Sequence, residues 1–175
     1  MKRLAIIALM LNVGAAATYA QQHGSKTALS GTAAASTIDL GTGTPTTEYN
    51  LEGNSSLGSF TFRTVSSGAA PSQAPSSCSG GNKLYIPIAA GMGVLRSSDG
   101  SLLRLRLTGG SDCIDFNAGK ALCIRMYEVV GGTGRFQNAA EDGGKVTLTM
   151  TVAPVVPGEL VFFAVTGEMT GIVSE

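Results

Sequence analysis

The stretch from Tyr127 to Ala140, YEVVGGTGRFQNAA, constrains the fold of this chain more than any other. It begins as a strand, breaks on Gly131-Gly132 and breaks again on Gly134. Glycine tolerates φ > 0, which residues with a Cβ resist, so the chain can turn sharply here between two β elements. Arg135 and Phe136 follow at once, and an aromatic residue placed there can re-enter a core. The spacing predicts a structural turn made of Gly131, Gly132, Gly134, Arg135 and Phe136. No Lys-Ser/Thr pair opening a helix follows these glycines, so they do not read as a phosphate cradle.

Strand signals recur at short intervals along the rest of the chain. They fall at Thr46–Glu52, Leu57–Val65, Lys83–Ala89, Gly93–Ser97, Ser101–Thr108, Asp112–Phe116, Lys120–Val130, Lys145–Val152 and Glu159–Ile172. Many short strands separated by glycine turns indicate a barrel or sandwich. If Ser98-Asp99-Gly100 is a three-residue loop, Leu95 sits opposite Leu103, and Leu103, Leu105 and Leu107 share the core face. After Gly109-Gly110 the apolar residues change parity, to Ile114 and Phe116, which calls for either a bulge or a plain turn. Residues 21–45 are rich in Ala, Ser, Thr and Gly without periodicity and read as a mobile lead-in. Residues 66–82 read as a long Ser/Pro/Gly loop.

A strand running into GGTGRF and then small residues resembles the allene oxide cyclase and dirigent-type barrel superfamily and its uncharacterised bacterial secreted relatives. The resemblance spans roughly residues 49–173 as spaced strands, and the short motif is its specific part. Those relatives carry a glycine soon after the aromatic, where this chain reads Asn138-Ala139-Ala140-Glu141-Asp142-Gly143. Together with the strand spacing, the resemblance implies an all-β fold, an antiparallel closed or nearly closed barrel of about eight strands. It carries no catalytic residue over.

The first residues predict secretion. Lys2 and Arg3 precede an apolar stretch from Leu4 to Val13, and Ala15 to Ala20 supplies small residues for cleavage before Gln21. Removing residues 1–20 of the 175 leaves a 155-residue chain of net charge −2, a single-domain length that can bury a core. A secreted or periplasmic location follows as an expectation. The arginines are spread singly, so neither nucleic acid nor an anionic membrane surface is indicated as a partner. With no tryptophan and only ten aromatics, the chain lacks the aromatic girdles of an outer-membrane barrel.

Three cysteines, Cys78, Cys113 and Cys123, fall in a chain bound for an oxidising compartment. A three-residue loop at Asn117-Ala118-Gly119 would set Cys113 opposite Cys123, at a separation of about 4.5 Å that a disulfide accepts. That register predicts a Cys113–Cys123 bond and leaves Cys78 unpaired in the long loop.

Catalytic constellations are scarce. The only histidine, His23, lies near the N-terminus, so Ser/His/Asp and Cys/His triads are disfavoured. No HExxH, paired CxxC or dense acidic loop points to a metal, and no cofactor is expected. Glu128 shares its parity with Leu122, Ile124, Met126 and Val130, so it either faces the core as a desolvated carboxylate or sits at a rim beside water or an arginine. Arg135 reads as pinning turn carbonyls or pairing with Glu128. Tyr49, Tyr85 and Tyr127 are candidates to line a pocket mouth, with ordinary packing as the alternative.

Three functions stay open. A non-catalytic barrel can enclose a small hydrophobic ligand. A cyclase- or isomerase-like barrel can steer a reactive intermediate by shape, with Glu128 assisting. A surface protein can associate through its last strand, where Leu160 and Phe162 alternate with Val161 and Phe163 and make both faces apolar, which favours a homo-oligomer.

Overall fold

The computed structural model describes residues 23–55, 58–140, 143–159 and 161–173. The predicted signal peptide lies outside them. Eight antiparallel strands close into a barrel: β1 (His23–Ser36), β2 (Thr46–Ser55), β3 (Gly58–Gly68), β4 (Lys83–Ser97), β5 (Leu102–Asp115), β6 (Lys120–Gly132), β7 (Lys145–Pro154) and β8 (Phe162–Val173). Each strand pairs with the next, and β8 returns to β1 in a ladder from His23 opposite Val173 to Ala34 opposite Phe162. Among the described residues, closure leaves none of the eight strands as an edge strand of the sheet. Among the described residues no helix is long and apolar enough to cross a membrane.

Alternation along each strand builds the interior. Tyr49, Leu51, Phe60, Phe62, Leu95, Leu103, Leu105, Leu148, Met150 and Val165 point inward and bury almost completely. Charged residues of the same strands point outward, as in the ion pairs Arg63–Glu48 and Lys26–Glu168. The hairpin between β4 and β5 has the expected register, with Leu95 opposite Leu103. Its turn is fastened by Asp99, which accepts from the Ser97 hydroxyl and from the Ser101 N–H at 2.9 Å. These bonds, the Ser97 one foremost, hold the Asp99 carboxyl down at about 2. The parity change at Gly109 is a bulge inside one continuous strand, where pairing steps from Leu107–Tyr127 to Gly109–Met126.

Two expectations about the chain's organisation are overturned. Residues 23–36, read as part of a mobile lead-in, form a strand hydrogen-bonded on both sides, so the barrel begins at His23. At Gly31 its neighbour leaves no room for a side chain: a Cβ there would lie 2.0 Å from the Asn50 carbonyl oxygen. Ala33 sits opposite Tyr49, and both are buried. The predicted loop 66–82 begins later, because β3 continues to Gly68 and buries Ser66 and Ser67.

The disulfide prediction is also corrected. Cys78 bonds Cys113 across a Cα separation of 5.7 Å, and Cys123 is the buried free thiol. The β5–β6 loop has four residues, Phe116 to Gly119, and closes on Asp115 opposite Lys120. Asp115 favours this turn by accepting the Ala118 N–H at 2.9 Å. One residue of slip sets Cys113 opposite Leu122, on the outer face, and Cys123 opposite Asp112, on the inner. Two cysteines on opposite faces of a sheet cannot bond, so the outer Cys113 takes Cys78 from the loop that crosses outside it.

Candidate functional site

Up-and-down connectivity sorts the loops between two ends. At one end lie the β4–β5 turn, the β6–β7 connection, the start of β1 and the end of β8. Here the GGTGRF segment folds back as a plug. Gly134–Phe136 forms a single 3-10 turn, Phe136 is wholly buried, and Ala139 joins the same core cluster. Gly134 adopts φ 59°, and its missing Cβ leaves room for Ser101, whose hydroxyl accepts the Arg135 N–H at 3.2 Å. A Cβ on Gly132 would lie 2.2 Å from the Phe136 carbonyl oxygen. Arg135 does not pair with Glu128; it stacks on the Phe136 ring, 4.9 Å from its centroid, near Asp99.

The opposite end is open. Between the loops at residues 37–45, 69–82, 116–119 and 155–161 a cavity of about 430 Å³ enters the barrel. Its wall is mainly apolar: Ile114, Phe116, Ala121, Val152, Pro154 and Phe163, with Thr47 among them. Lys120 and Asp115 stand at the rim, and Lys83 lies 3.8 Å from Asp115. A broader, more open groove of about 760 Å³ runs over the side of the barrel past Ser30, Glu52, Thr61 and Arg96.

The floor of the mouth is a polar layer laid across the barrel. Arg125, 1 % exposed, points inward from β6 and donates through Nη1 to Asp112 Oδ1 at 2.7 Å and through Nη2 to Asp112 Oδ2 at 3.1 Å. Its Nε donates to the Ser66 hydroxyl at 3.0 Å, Nη2 to the Tyr49 hydroxyl at 3.0 Å, and Nη1 also to the Ile124 carbonyl at 2.9 Å. Every N–H of the guanidinium therefore has an acceptor, which is the condition for burying such a charge. Burial opposes that charge, but the Tyr49 oxygen and the Asp112 carboxylate outweigh it and hold Arg125 protonated. Burial pushes the Tyr49 hydroxyl and the Cys123 thiol well up, with Asp112 adding to both, so each stays protonated. A thiol in that state is a poor nucleophile.

Below this layer Tyr127 shares a 2.7 Å hydrogen bond with Thr64 and packs edge-on against Phe62. Burial raises its hydroxyl to about 12.

Of the residues proposed to line a pocket, only Tyr49 reaches the mouth. Tyr127 lies deeper, in the core. Tyr85 pairs with Cys113 on the outer face. The core-facing alternative for Glu128 is corrected: it points outward, where Arg106 Nε donates to it at 2.6 Å. On β6 the more hydrophobic parity is the exposed one, with Leu122, Met126 and Val130 outside and Cys123, Arg125, Tyr127 and Val129 inside. That parity hides Arg125, while Cys123 is expected only as a disulfide partner and Asp112, on β5, not at all. The available signal was Gly109-Gly110, since a bulge there puts Asp112 on the inner face with Ile114. Among the described residues no group of three or more His, Cys, Asp or Glu is placed to hold a metal ion. Comparison of the chain with models of known families, with curated proteins and with solved structures finds no match.

Proposed function

We propose that this barrel binds a small, largely apolar molecule in its open end and does so without chemistry of its own. One observation carries the reading. The barrel is plugged by Phe136 at one end and open at the other on an apolar-walled cavity with a polar floor. Ligand pockets have this form, an apolar lining with a few fixed polar groups in a volume of ~300–1,000 Å³. Glu128, on the outer face, is not placed to assist a reaction there, which disfavours the cyclase-like alternative. The basic and apolar start of the chain and the Cys78–Cys113 bond favour a secreted or periplasmic setting. The GGTGRF turn and the eight-strand closure favour a relationship to the allene oxide cyclase and dirigent-type barrels.

Titration with aminoanthracene, a neutral apolar fluorophore, tests the binding. The wild type should show saturable enhancement, and Ala121→Phe, which fills the wall opposite Ile114 and Val152, should lose it while keeping its circular dichroism. Equal enhancement in both proteins would reject the site. A second reading rests on a separate observation: Val155, Val156, Val161 and Phe162 flank the mouth and are 48–64 % exposed. A patch of that kind suits self-association. Light scattering would then give a dimer for the wild type and a monomer for Phe162→Ser.

A further inference from the structure

Three groups form the polar face of the mouth's floor, and they are not equally reachable. Tyr49 and Cys123 are each 2 % exposed, whereas the Asp112 side chain is 20 % exposed. A molecule descending the cavity therefore meets the Asp112 carboxylate as the floor's accessible polar group. Arg125 fixes that carboxylate from behind with two hydrogen bonds and exposes none of its own N–H groups. A carboxylate offers about four lone-pair directions, of which the guanidinium occupies two. The floor thus presents acceptor capacity, held rigidly, whose charge is balanced by a cation the ligand cannot touch.

We infer that the molecule held in the mouth carries a neutral hydrogen-bond donor, an alcohol or phenol hydroxyl, which docks on Asp112. This rests on the mouth being the binding site, and it defines the ligand class more closely. An acceptor-only group such as an ether or ester would desolvate the carboxylate's remaining lone pairs without answering them, which is costly in an apolar cavity. A ligand carboxylate would face Asp112 like charge to like charge, with every Arg125 N–H already engaged. A ligand ammonium would be attracted by Asp112 but repelled by Arg125 behind it, and would give up its own hydration. Thr47, on the wall, both donates and accepts and so does not discriminate. Lys120 at the rim is the group that could hold an anion instead, with the ligand reversed.

The experiment compares ligands that differ only in the polar group. Decanol and methyl nonyl ether are isomers, and only the alcohol has an O–H; decanoate and decylamine supply the two charges. Each is titrated into the disulfide-bonded wild type at neutral pH, reading displacement of aminoanthracene. Decanol should bind about tenfold or more tightly than the ether, as loss of one hydrogen bond to a charged acceptor implies. It should also bind more tightly than decanoate and decylamine. The double variant Arg125→Met/Asp112→Leu, with an apolar floor, should bind alcohol and ether alike. Should it not fold, the wild-type comparison decides alone. Equal binding of ether and alcohol overturns the inference, as does a preference for decanoate through Lys120 or for decylamine. If aminoanthracene itself does not bind, it is the mouth as a ligand site that fails.

Discussion

Arg125 grips Asp112 across the β5–β6 ladder, Nη1 to Oδ1 at 2.7 Å and Nη2 to Oδ2 at 3.1 Å, at the level where the apolar core gives way to the mouth. Truncating either partner leaves the other with an unanswered charge. Arg125→Leu should destabilise the barrel by about 3–5 kcal/mol, the range for breaking a buried pair. Arg125→Met/Asp112→Leu should recover most of that loss, because apolar residues of similar volume replace such pairs at little cost. Urea unfolding of the two variants against wild type checks both values; single and double variants of equal stability would contradict the coupling.

The disulfide ties the 69–82 loop to the outside of β5 over a separation of 35 residues. A loop of that length implies up to about 4 kcal/mol from the unfolded chain, and ~2–4 kcal/mol is the usual measured range. Cys78→Ser should lower stability by that amount. Non-reducing peptide mapping should give a Cys78–Cys113 peptide. Cys123, buried with its thiol pushed up, should react with iodoacetamide only after unfolding.

How far the sequence foretold this differs by element. The β4–β5 hairpin was legible, because Leu103, Leu105 and Leu107 alternate with arginines and only one register buries all three. The plug was legible as well, since three glycines and an aromatic leave few alternatives. β1 was not, because its inner face is Thr27, Leu29, Gly31 and Ala33, and small residues produce no hydrophobic alternation. The floor of the mouth was hidden by a different cause. On β6 an arginine points inward and leucine and methionine point outward, so a hydrophobic count selects the wrong face. Only the pairing with Asp112, 13 residues earlier on the neighbouring strand, reverses that choice; burial of a charge is decided by its partner.

Positions in the plug should separate by what a Cβ would strike. Gly132→Ala meets backbone, the Phe136 carbonyl, and Gly134→Ala meets Ser101 at a positive φ, so both should lower the melting temperature. Gly131→Ala meets only the flexible end of Arg104 but sits at φ 157°, so it too should lower the melting temperature. Phe136→Ala should cost about 3–5 kcal/mol, the range for a buried phenylalanine. Thermal melts of the four variants give the ranking.

Alkaline pH should weaken the fold through its buried tyrosines. Tyr127 is raised from 10.0 to about 12, so the unfolded chain releases this proton first as pH climbs. Its contribution is therefore intact below pH 10.0 and is lost as pH rises to about 12, on the order of 3 kcal/mol in all. Tyr127→Phe should flatten the decline between those limits. Urea unfolding at stepped alkaline pH measures it, and parallel curves for the two proteins would contradict the assignment.

The central claim is that ligand enters at the open end and rests on the Arg125–Asp112 floor. Amide chemical-shift mapping of isotope-labelled protein titrated with decanol tests it most directly. Saturable shifts should cluster at Thr47, Asp112, Ala121, Val152 and Phe163, which line the mouth, and should spare Gly134 and Phe136 in the plug. Shifts confined to Met92, Val94 and Met126 on the outer wall, or no saturable shifts at all, would contradict the account.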